Sequence, residues 1–331
     1  MRKLFSSTTA FVAGLVLVAI VGALLILPSN DYIFLPDKAH PVAPLVHVPG
    51  GHAPKVGGIY YVDILLRKAK LYERLFGGFH EGADLYPASA VLPPGGGEAE
   101  RQQIDAEDMQ NSQRVAAAVA LRAAGKSVTT TPIGAKVDEV FARTPAVGKL
   151  EQDDIITAID GEPIKSSAEV RTAMAKRRPG DTVAFAIRRG RASLVVSIKT
   201  IPEPKTRRAI VGISLGDAVD IHLPIDVTIN AGDVGGPSAG LAFALGILQE
   251  LGRNIVRGHK IAATGEILPD GSVGPIGGIK QKTIGAREAH VDAFLVPAGE
   301  NAQEARRYAH GLRIIAVENF QQALRALATL R

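Results

Sequence analysis

Gly235-Gly236-Pro237-Ser238-Ala239-Gly240 leads into Leu241-Ala242-Phe243-Ala244-Leu245-Gly246-Ile247-Leu248, and the rest of the chain is read outward from this stretch. Paired glycines let another backbone approach closely, Pro237 suits a first helical turn, and the apolar run predicts a buried helix. Ser238 then stands where unpaired N–H groups and the positive end of a helix dipole favour an anionic oxygen. Two readings fit these residues: Ser238 caps a core helix, or it is a nucleophile beside an oxyanion site.

A nucleophilic serine needs a base. His222, His259 and His290 lie in this part of the chain, but none sits in a motif with an acidic orienting residue. A buried lysine can serve, because burial disfavours its charged form. On the predicted helix Gly277 to Ala289, residues Ile279, Lys282, Ala286 and Ala289 share one face, whereas Lys280 and Arg287 share another. Lys282 is therefore the core-facing lysine, or else a lysine snorkelling from the helix edge. From Arg208 onward, strands and helices alternate in an α/β pattern, with strands at 210–213, 225–229, 260–264, 293–297 and 314–317.

The chain has 331 residues, 46% of them hydrophobic, enough for more than one core. It has no cysteine, which excludes disulfides, thiolate metal sites and cysteine nucleophiles. Its net charge of +5 comes from scattered clusters without interleaved aromatics, so nucleic acid is not an expected partner. No metal is expected either: His40, His47 and His52 lack ligand spacing, and there is no His-Glu-x-x-His run. Gly125-Lys126-Ser127 closes a helix where a phosphate loop would open one, so no ATP site and no cofactor are expected.

Residues 8–27 form an uncharged apolar run behind Arg2 and Lys3. At about 1.5 Å per residue it matches a bilayer core of about 30 Å, which predicts a signal anchor with a cytoplasmic amino terminus. A cleaved signal peptide, with Val21-Gly22-Ala23 at the cut, is the rival reading. A proline-, glycine- and histidine-rich stalk follows, then a strand at 58–66 and a helix at 68–76. A longer helix carries a stripe of small residues, Met109, Ser112, Ala116, Val119 and Ala123, suited to close packing.

Between Ser127 and Pro202 the pattern turns to short strands, with a capping box at Ser166 and Glu169 and a hairpin across Arg189-Gly190. This segment resembles a PDZ domain, notably in Thr144-Pro145-Ala146-Val147-Gly148-Lys149-Leu150 through Asp154-Ile155-Ile156 to Ile159-Asp160-Gly161-Glu162-Pro163-Ile164. The resemblance implies that an extended peptide adds as a strand, with Ile133, Gly134 and Ala135 as the binding residues. A PDZ-shaped spacer without a ligand is the alternative. Pro132 removes one N–H donor from the loop that would hold a terminal carboxylate.

The carboxy-terminal part resembles the catalytic domain of Lon proteases. Gly236-Pro237-Ser238-Ala239-Gly240, Thr264-Gly265-Glu266-Ile267, Gly271-Ser272-Val273 with Pro275 to Lys282, and Phe294-Leu295-Val296-Pro297 carry the likeness. It implies an α/β (α+β) proteolytic domain with Ser238 as nucleophile, Lys282 as general base and Thr264 positioning the lysine. Backbone N–H groups of Gly235, Gly236 and Ala239 would hold the oxyanion. Many Lon domains have an acid where Gly235 stands, and Asp233 is a sequence candidate to replace it.

The expected organisation is an anchor over 1–28 and a stalk and amino-terminal segment over 29–127 that packs on the protease. A PDZ domain follows over 128–203 and a Lon-type domain over 204–331, making the PDZ an insertion. Taken together, the features resemble bacterial membrane-anchored, PDZ-containing Lon-like proteases. That likeness implies an ATP-independent serine endopeptidase on the bacterial cell membrane, with an extracytoplasmic catalytic part, protein or peptide substrates and homo-oligomeric assembly. The alternative is a membrane-tethered peptide-binding scaffold whose protease-like domain is inactive.

Overall fold

The structure is a computed structural model that describes residues 7–52, 56–77, 81–93, 96–204, 206–232 and 234–330, with side chains from residue 11. The chain forms two compact units, one of residues 1–126 and 225–331, the other of residues 127–224. Residues 204–224, read from the sequence as the start of the proteolytic domain, belong to the second unit. The strand Ile213–His222 pairs there with Thr129–Val140 along its length.

The first unit is built on a five-stranded sheet. Gly58–Tyr61, Lys260–Ala263, Ala293–Pro297 and Arg313–Val317 run parallel in that order, and His40–Pro41 pairs antiparallel with the first. Every residue of Ala293–Pro297 is buried, as expected of a parallel strand covered on both faces. The strand expected over 58–66 is two: Gly58–Tyr61 enters this sheet, and Ile64–Lys70 pairs with Pro28–Pro36 in another. The amino-terminal segment therefore supplies a strand to the core sheet of the serine-bearing unit.

Gly240–Glu250 is a helix with every residue buried, which explains its lack of a polar face. The helix Glu98–Ala123 lies against it and buries Met109, Ser112, Ala116 and Val119 of the predicted stripe. Ser7–Ile26 is a helix of 20 residues, and most of its described large apolar side chains are exposed, Phe11 at 69% and Leu17 at 62% among them. Among the described residues no helix is long and apolar enough to cross a membrane. The described residues thus leave the expected membrane-spanning helix without support.

In the second unit, a sheet runs Ala192–Lys199, Thr182–Arg189, Ile155–Ile159, Thr129–Val140, Ile213–His222, with the helix Ser167–Ala175 packed beside it. Ser166 accepts from the Glu169 N–H, which forms the expected helix cap. Phe185, Ile156, Ile159, Ile187 and Val170 are among its core residues.

The lysine helix Ile279–Glu288 is pressed on the amino-terminal segment at Gly285, where a Cβ would stand 1.7 Å from the Asp37 carbonyl oxygen. Alanine normally stabilises a helix interior relative to glycine by about 1 kcal/mol. Here overpacking reverses the sign: Gly285→Ala is expected to lower the unfolding free energy by about 2 kcal/mol or more in denaturant titrations.

Candidate active site

Pro237–Ala239 forms a single 3-10 turn at the head of the buried helix, preceded by Gly236 at φ 75°, a conformation that glycine adopts without strain. The turn is held from two sides. The Ser238 carbonyl accepts from the Thr264 hydroxyl at 3.1 Å and from the Gly265 N–H at 2.8 Å. On the other side, the Ser112 hydroxyl donates to the Pro237 carbonyl at 3.1 Å, and the Gly236 N–H donates to the Asp105 carbonyl at 2.9 Å. Each expected site element thus leans on residues far away in the chain.

Lys282 Nζ lies 2.6 Å from Ser238 Oγ. The lysine is 3% exposed, and burial pushes its ammonium down to about 8, opposed by the nearby carboxylate of Asp63. Its helix neighbours Lys280 and Gln281 reach Asp84 at 2.7 and 2.8 Å, which ties the helix to the amino-terminal segment. The face that the sequence chose is the buried one: Ile279, Lys282 and Ala286 are all inside.

Thr264 is fully buried, and its hydroxyl donates to the serine's own carbonyl. It therefore fixes the backbone of Ser238. Gly236 is corrected, since its N–H is spent on Asp105 and is not free for an oxyanion.

Gly235 has a steric reason. A Cβ there would stand 2.8 Å from Asp105 Cβ, too close for any side chain. Asp105 flanks that position from the long helix, paired with Arg101 at 2.5 Å, and burial raises its carboxyl although Arg101 pulls it down. Asp233, the sequence candidate for this role, lies outside the described residues. Asp105 was out of reach of sequence reasoning because it is more than a hundred residues upstream.

In the second unit, Gly134 pairs with Ala218, and Ala135 pairs with Asp217 on one side and Ile156 on the other. Both edges of that strand are taken at Ala135, so Ala135 cannot receive an added strand, contrary to expectation. An apolar cavity of about 210 Å³ lies elsewhere in the unit, lined by Val170 and Met174 of the helix and by Ile210, Val211, Ile213 and Leu215.

Residues 205–329 match the Lon protease (S16) C-terminal proteolytic domain, and residues 107–200 match a PDZ domain. The chain carries a Lon-type proteolytic domain and a PDZ domain. Among relatives, the Lon protease of Phenylobacterium zucineum is 30% identical over 66% of this chain and 24% of its own length. Lon protease 2 of Bacillus subtilis is 37% identical over 32% of this chain and 18% of its own. The chain thus covers about a quarter or less of the length of these relatives. The PDZ domain of an SdrC-like protein from Listeria monocytogenes is 32% identical, covering 25% of this chain and 87% of that one, at a TM-score of 0.24. The PDZ match begins inside the helix Glu98–Ala123, whereas the compact unit starts at Ser127. That helix packs in the Lon-type unit.

A buried ammonium also costs stability. Unfolded, the lysine holds its proton to near 10.5; folded, only to about 8. Between these values the unfolded state binds more protons, so the lysine's contribution rises with pH and its penalty is complete below about 8. Lys282→Met is expected to raise the unfolding free energy at pH 7 by about 2 kcal/mol, the shift less a lost hydrogen bond. The gain should fade as calorimetry is repeated toward pH 10.5.

Proposed function

We propose that the protein is a serine endopeptidase in which Ser238 attacks a peptide carbonyl and Lys282 is its base. The observation that carries this is the 2.6 Å contact between a buried lysine and a serine on a helix-initiating turn. While Lys282 is charged, Nζ donates to Oγ. Once neutral, it accepts the Oγ proton as the bond to the carbonyl carbon forms, and later returns that proton to the leaving amine. The N–H groups of Gly235 and Ala239 are the proposed oxyanion donors in place of Gly236, and water then releases the acyl-enzyme.

Flexible or unfolded protein segments are the proposed substrates, cleaved without nucleotide. The PDZ unit would recruit them, or gate access, through the cavity between the helix Ser167–Ala175 and residues 210–215, where the outer edge of Ile213–His222 ends its sheet. The helix Ser7–Ile26, most of whose described apolar side chains are exposed, would anchor the chain in a bacterial membrane, with the catalytic part outside. By likeness to Lon domains, the working form would be a homo-oligomer.

Cleavage of an unstructured peptide by the purified chain is expected to fall at least about a thousandfold in Ser238→Ala and in Lys282→Ala. The rate of the unaltered protein should rise through pH 8 as Lys282 loses its proton. Equal cleavage by all three proteins would leave the peptide-binding scaffold as the better reading.

A further inference from the structure

Asp63 stands apart among the acidic residues of the first unit. It is half-buried, in the link between the strands Gly58–Tyr61 and Ile64–Lys70, and its carboxylate accepts from the Ile64 N–H at 2.7 Å. Its sequence neighbours bracket Lys282. Val62 lies 3.3 Å from where a Cβ on Gly285 would be, and Ile64 lies 3.1 Å from where one on Gly278 would be. Gly278 is one turn before Lys282 on the lysine helix and Gly285 almost one turn after it. The absence of side chains at both glycines brings the 62–64 link against the turn that carries the lysine.

We propose that Asp63 is the positioning residue of Lys282: its carboxylate holds the lysine's ammonium in the buried site and governs the pH at which that ammonium yields its proton. This rests on the reading of Ser238 and Lys282 as the reacting pair. Burial raises the Asp63 carboxyl while Lys282 draws it down, and burial lowers the lysine while Asp63 holds it up, so the two groups act on each other in the expected sense. Three other titratable groups face this site, and the first, Tyr61, is raised by burial and by the charges of Asp63 and Asp37. Asp37, whose carbonyl meets Gly285, pairs through its carboxylate with His40 at 3.2 Å, and both act on Asp63. Ser238 meets the lysine at Nζ. No ion pair joins Asp63 to Lys282, so the carboxylate acts through space and leaves Nζ to the serine.

Removing the charge while keeping the shape should let burial depress Lys282 further. In the full chain carrying Asp63→Asn, the rise of peptide cleavage with pH is expected to move down by about one pH unit. Asp63→Glu, which keeps the charge, should restore the original midpoint. A second readout is independent of cleavage. In Ser238→Ala protein, the pH at which stability begins to rise should fall below 8 when Asp63→Asn is added, and this shift should vanish when Lys282→Met is also present. Asp63→Ser serves as a second neutral variant where Asp63→Asn fails to fold.

An unmoved stability onset in the neutral variants overturns the proposal, as does an Asp63→Glu protein that behaves like Asp63→Asn. If no peptide is cleaved but the stability onset still moves with the Asp63 charge, the peptidase reading fails and the link between Asp63 and Lys282 stands.

Discussion

The structure turns on placing one ammonium group out of water beside a hydroxyl. Isolated in an apolar interior, Lys282 would be costly; here it lies 2.6 Å from Ser238 Oγ, and burial lowers its ammonium to about 8. Everything around the pair serves either to exclude water from Nζ or to hold Oγ still. Gly278 and Gly285 let the amino-terminal segment close over the lysine helix, and Thr264 with Gly265 pins the serine's carbonyl.

This arrangement explains why the unit is assembled from two distant stretches of chain. Gly58–Tyr61 completes the parallel sheet, Asp37 and residues 62–64 cover the lysine helix, and Glu98–Ala123 braces the serine turn through Ser112 and Asp105. The PDZ unit leaves the chain just after that helix and returns just before the Gly235–Ser238 turn. The insertion is therefore joined in sequence to two elements that hold Ser238.

Much of this was legible locally. The apolar run after Ser238, the choice of Lys282 over Lys280 and the stripe from Met109 follow from helical periodicity, because each element meets its neighbours with one face. What was not legible depends on contacts between distant segments. Nothing near Gly235 announces that Asp105 Cβ fills the space beside it, and Asp63 reads as a polar residue in a strand until Val62 and Ile64 are seen against two glycines. The PDZ edge was misassigned for a similar reason: the strand Ile213–His222, which covers Gly134 and Ala135, begins past the expected domain boundary.

The central claim is that Lys282 activates Ser238 by losing a proton near pH 8. The most direct measurement is the rate at which Ser238 itself is acylated by an activated peptide ester, read by mass spectrometry from pH 6 to 10. The account predicts a single adduct on Ser238 whose rate rises through about pH 8 and disappears in Lys282→Ala. A rate that is flat across this range, or an adduct that forms equally without the lysine, would contradict it.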